Sequence, residues 1–146
     1  MSQLFTHKPK EFLADRGGAS AIEFAIVSPI LILIVFGIIA FGLYFGAAHS
    51  LQELASDAAR ASVAGLDNVE RAEIVADFMK HNGGDYPLLD ERYLTYEAHP
   101  SAADPQEYQV SVRYNAEGLP IWSLSTDLPL PGKIISRTST IRIGGA

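Results

Sequence analysis

The chain has 146 residues, a formal charge of −6 and no cysteine. That length gives one domain of ordinary size, the acidity has the wrong sign for a nucleic-acid surface, and the missing thiols exclude disulfides and thiolate metal sites. Whatever folds must be held by packing, by membrane tethering or by partners.

Met1 to Gly18 is polar, with Pro9 and a Gly17-Gly18 pair, and reads as a flexible leader. From Phe24 to Ala48 no residue is charged, and most are Ile, Leu, Val, Phe, Ala or Gly. A helix needs about 20 such residues to cross a bilayer's hydrocarbon core, so this run predicts a transmembrane helix. The alternatives are a buried core hairpin or helix, the latter rarely apolar on every face for so long, and a cleaved secretory signal, whose apolar region is shorter. Lys8, Lys10 and Arg16 precede the run, whereas Glu53 and Asp57 follow it before Arg60 appears. Basic residues favour the cytoplasmic flank, which puts the N-terminus inside and the C-terminal part outside.

Helical spacing continues past the apolar run through Leu51, Leu54, Ala55, Ala58, Ser62 and Val63, with Gly65 as a C-cap. A helix from Ala19 to Gly65 measures about 70 Å, over twice the hydrocarbon thickness, so its second half is expected clear of the lipid. Asp67 offers an N-cap and Glu70 a capping-box partner for a short helix through Ala72, Val75, Phe78 and Met79, ending near His81. Asn82 to Asp85 reads as a loop. The period then changes to two, which predicts strands over Tyr93–Ala98, Glu107–Tyr114 and Ile134–Ile143, with a weaker candidate over Gly118–Leu124. Leu128 to Gly132 reads as a turn. The expected fold class is α+β. A cytoplasmic leader (1–18) leads into a transmembrane and emergent helix (19–65), and an extracytoplasmic domain (66–146) follows. That domain is a short helix and a small antiparallel sheet packed on the emergent helix.

Little here carries catalytic chemistry. His7, His49, His81 and His99 fall on different elements without metal-ligand spacing. There is no Gly-x-Ser-x-Gly elbow and no phosphate-binding loop. The acids Asp85, Asp90, Glu91 and Asp104 lack the spacing of a calcium loop. No catalytic residue, cofactor, metal or small-molecule substrate is expected, and the chain is not expected to be an enzyme.

The unusual residue is Glu23, a carboxylate at the start of the apolar run. Charged groups at such positions are costly and usually functional; the plain alternative is an interfacial acid that snorkels to water, helped by the positive end of the helix dipole. Two glycines stand just before it. Glycine resists helix and clears steric space, which suits the scissile bond of a membrane protease that binds an extended backbone. Cutting between Gly18 and Ala19 would put Glu23 at the fifth position of a new chain. The freed ammonium of one copy could then pair with the carboxylate of the next and set axial register. Further along, Pro29 removes a helix hydrogen bond, which membrane helices tolerate. Gly42, Gly46 and Ser50 repeat at four-residue spacing, a small face on which another helix could pack, although glycine is simply common in such helices.

The stretch RGGASAIEFAIVSPILILIVFGIIAFG resembles the TadE-like pseudopilins of tight-adherence (Tad, Flp-type) pilus systems. The matching residues are Arg16-Gly17, the Gly18/Ala19 junction, Glu23-Phe24-Ala25 and Pro29, and SDAARASVAG from Ser56 to Gly65 is similar as well. Glu23 is the most specific of them, since the related TadG-type proteins usually lack this acid. The resemblance implies a precursor cut after Gly18 by a prepilin peptidase, with Glu23 and Phe24 serving register and assembly. It also implies an inner-membrane protein that partners other Tad pseudopilins and pilus assembly proteins. Its role would be that of a minor subunit in building an adhesive pilus. The alternative function is a membrane-anchored binding or sensor module with an uncleaved signal anchor.

Overall fold

The structure is a computed structural model that describes residues 16–123 and 130–143. Helix α1 runs Arg16–Ala61 and ends in a 3-10 turn over Ser62–Ala64; α2 spans Asn68–Asn82. Three strands follow, β1 (Leu94–Pro100), β2 (Glu107–Asn115) and β3 (Ile134–Arg142), in an antiparallel sheet of order β1-β2-β3. The fold is α+β, with one long apolar helix, one short helix and one small antiparallel sheet. The chain divides into two compact units, residues 1–38 and 39–146.

The first unit, in its described part, is the beginning of α1. It is apolar on all faces: Ile22, Phe24, Ile26, Ile30, Phe36 and Ile38 are all well exposed. This is a helix long and apolar enough to cross a membrane. It continues unbroken through Pro29, whose missing N–H leaves the carbonyl four residues back, at Ala25, without its usual partner. The helix also begins earlier than the sequence indicates. Arg16, Gly17 and Gly18 are helical. Leader residues 1–15 lie outside the described residues. Once a helix is nucleated, adding a residue costs a glycine only about 1 kcal/mol relative to alanine, which does not stop propagation.

The second unit is built around the rest of α1. Ala40, Tyr44, Ala47, Ala48, Leu51, Leu54, Ala55, Ala58 and Ala59 are buried along one helical stripe. β2 supplies the facing layer. Its alternation buries Tyr108, Val110, Val112 and Tyr114 and turns Gln109, Ser111 and Arg113 outward. Register is fixed by pairs such as Tyr96↔Val112 and Val110↔Ser139. Val75 and Met79 of α2 close the core. The outer face is polar, with a Ser111–Thr138 hydroxyl bond of 2.7 Å and an Arg113–Glu97 ion pair of 3.2 Å.

The link between the helices follows the expected cap, with one difference. Asp67 Oδ1 accepts from the N–H groups of Val69 and Glu70, both at 2.9 Å. The Glu70 carboxylate accepts from Leu66 N at 2.6 Å, one residue further back than the usual reciprocal partner. The candidate strand over Gly118–Leu124 is not a strand. Residues 116–118 and 120–123 form two 3-10 turns, and Leu124 is outside the described residues. Pro120 cannot donate to a sheet ladder, and the Asn115 side chain accepts from Glu117 N, which starts a turn instead. Trp122 then donates from Nε1 to the Ala116 carbonyl at 2.6 Å, and Ile121 is buried. Of the expected turn over Leu128–Gly132, residues 130–132 are irregular and the rest lies outside the described residues.

Candidate functional site at the start of the long helix

Gly18 lies in the first turns of α1, with open space around the position a Cβ would take. Ala19 follows it in the same helix. A protease that needs an extended backbone would have to unwind this turn. The glycine pair lowers that cost, since each glycine gives up about 1 kcal/mol of helix preference relative to alanine. Glu23, just over one turn beyond Gly18, is exposed, as is Phe24. Among the described residues Glu23 makes no ion pair within the chain.

The proposed packing face divides. Gly42 is exposed, with open space around it. At Gly46 an added Cβ would lie 2.7 Å from Leu88 Cδ1, so this site already has an occupant from its own chain. Ser50 is buried. Of the three, Gly42 alone offers open backbone to another helix. Pro29 is exposed. Leu88 escaped the sequence reading because its contact with Gly46 is long-range and its left-handed φ of 63° leaves no residue signature in a leucine.

Elsewhere several polar groups make structural contacts. Tyr86 donates to Asp57 Oδ2 at 2.7 Å and ties the segment after α2 to α1; burial, then this bond, pushes its phenol well above the ordinary value. Arg92 holds the Asp90 carboxyl below its usual range, and Lys133 does the same for Glu117 through a 2.7 Å contact. A shallow groove of about 390 Å³ between α2 and β1 is lined by Met79, Lys80, Arg92, Leu94 and Tyr96 among others. Among the described residues no three His, Asp or Glu side chains group to hold a metal.

What the site resembles beyond this chain is confined to the helix. Comparison with curated proteins gives no match, and neither does comparison with solved structures. A family model described as TadE-like protein matches residues 18–60. The match opens at the glycine of the Gly18/Ala19 junction, includes Glu23 and Pro29, and closes at Arg60, one residue before α1 ends. Over residues 18–60 the chain is similar to the TadE-like protein family.

Proposed function

We propose that this chain is a minor, pilin-like subunit that serves the assembly of Tad/Flp-type adhesive pili and is cut by a prepilin peptidase after Gly18. The family associates it with the Tad pilus, and the apolar helix is compatible with a single-pass membrane anchor. The observation that carries the finer reading is the coincidence of the two. The matched segment is the apolar helix, and it opens on a glycine with an exposed acid five residues later. In this reading the leader faces the cytoplasm, the anchor sits in the inner membrane, and the β-sheet unit is periplasmic or extracellular. The role is structural and not catalytic.

Glu23 is the assembly residue in this mechanism. A carboxylate at the edge of hydrocarbon needs a partner. The ammonium released at Ala19 by cleavage supplies one on a neighbouring subunit, so processing and register are coupled through charge. Phe24, next to it, adds an apolar contact to the same neighbour. Partners are the peptidase, other Tad pseudopilins and the pilus assembly proteins. The test is Glu23→Gln, scored in the same cells for processed fraction by immunoblot and for pili by electron microscopy. The expected result is near-normal cleavage with pilus number sharply reduced. Normal piliation would make Glu23 a snorkelling interfacial acid, and loss of cleavage would move it into peptidase recognition.

A further inference from the structure

The residue count along α1 sets a constraint on the second unit. A hydrocarbon core of about 30 Å takes about 20 helical residues, which from Glu23 reaches the neighbourhood of Leu43. The second unit covers the helix before and at that level: Ala40 is 4% exposed and Tyr44 9%. On the membrane-spanning reading, on which this inference rests, side chains of the second unit therefore stand level with the far boundary of the hydrocarbon. Polar groups there would be costly, and apolar or interfacial ones would be favoured.

Most side chains at this level are of the second kind; the exception is the Glu117 carboxylate, whose charge is offset by its 2.7 Å pair with Lys133. Phe45 is 64% exposed and stacks near Phe41, with ring centroids 6.3 Å apart. Leu88 sits on Gly46 and is still 42% exposed, held in a left-handed conformation that costs about 1 kcal/mol or more. The Trp122 ring meets Tyr44 edge-on at 6.3 Å, and Lys133 Nζ stands 6.0 Å from the same ring. Tyr44 donates to the Gly132 carbonyl at 3.1 Å, which brings the start of β3 to this level, where Ile134 is 57% exposed. Tryptophan with a lysine, flanked by exposed Phe, Leu and Ile, is the mixture a bilayer interface takes up.

We propose that this collar of Phe45, Leu88, Trp122, Lys133 and Ile134 is a lipid-binding surface that seats the second unit in the headgroup layer of the bilayer. Its partner is the phospholipid surface itself. The apolar side chains enter the upper acyl region, and Lys133, with its Glu117 partner, stays at the headgroup level. A second exposed apolar group, Val63, Leu66 and Val69, lies near the other end of the covered helix. At 1.5 Å per residue the run from Phe45 to Ala61 alone is about 24 Å of helix, so that group stays out of the lipid and serves as a control.

Trp122 is the only tryptophan, so its emission reports this surface. The full chain is reconstituted into phosphatidylethanolamine–phosphatidylglycerol vesicles that contain phosphatidylcholine brominated either near the headgroup or near the chain end. Flotation is scored in the same samples. The expected result is co-flotation, loss of Trp122 emission that is greater with the shallow bromines, and weak quenching by acrylamide. The double variant Leu88→Asp with Ile134→Asp should float, keep its far-UV dichroism and lose much of the lipid quenching, whereas Leu66→Ser should leave it unchanged. A floating chain whose Trp122 ignores brominated lipid and is open to acrylamide overturns the inference and leaves the membrane anchor intact. Unchanged quenching in the double variant also overturns it. A chain that does not float overturns the anchor and the collar together.

Discussion

Cutting the chain at the end of the long helix, to leave residues 66–146, should give a fragment that does not fold, whereas 39–146 should. Among the described residues, nine of the eighteen buried apolar ones belong to α1 between Ala40 and Ala59. Six of these are alanines, worth about 0.8 kcal/mol for each buried methyl-sized group, and Leu51, Leu54 and Tyr44 are worth about 2 kcal/mol each. The helix therefore contributes on the order of 10 kcal/mol. A domain of this size has about 5–15 kcal/mol in all, so nothing sufficient remains. Removing the helix would also expose Tyr108, Val110 and Val112, which are now fully buried. Amide proton–nitrogen spectra of the two fragments in mild detergent provide the assay. Dispersed spectra from 39–146 and collapsed spectra from 66–146 are expected. A dispersed, cooperatively melting 66–146 would refute the reasoning, because the sheet would then have a core of its own. Within the longer fragment, Leu54→Ala should cost about 2–5 kcal/mol.

Gly65→Ala should be destabilising although its backbone (φ −73°, ψ 139°) suits any residue. The new Cβ would stand 2.8 Å from the Arg71 backbone nitrogen, an overpacking worth about 1–3 kcal/mol, and the thermal midpoint should fall by several degrees while Gly118→Ala, with open space around it, leaves it unchanged. Asp67→Ala removes the acceptor for two α2 N–H groups and should cost about 1 kcal/mol by denaturant titration. Glu117 and Asp90 have folded pKa values below their free ones, so their contribution is present above the free value and is lost as pH falls through the folded one. Melting points should therefore drop below about pH 4, and Glu117→Gln with Asp90→Asn should flatten that drop.

Much of this fold was legible because its signals are local. An unbroken apolar run gives the long apolar helix, Asp67 with Glu70 marks the start of α2, and Val110 and Val112 alternate with polar neighbours to give β2. What escaped depends on distance or on competition. Ile121 and Trp122 have strand character, but Pro120 and the Asn115 side chain decide the backbone there. Gly46 reads as a helix-packing site because sequence spacing cannot show Leu88 arriving from more than forty residues away. The share of α1 that belongs to the second unit was hidden by its alanines, which read as ordinary helix formers and as core only once the sheet lies against them. At the proposed site the helix that carries Gly18 and Glu23 was legible from its apolar run, and the contact proposed for Glu23 lies between copies and has no counterpart inside one chain.

The N-terminus of the membrane-extracted protein tests the central claim most directly. Intact-mass and N-terminal peptide spectrometry should find a mature chain that begins at Ala19 in cells with an active prepilin peptidase, and the full-length chain in cells without it. Gly18 replaced by a bulky residue should leave precursor in both. Chains that keep Met1 in the presence of the active peptidase would contradict the account.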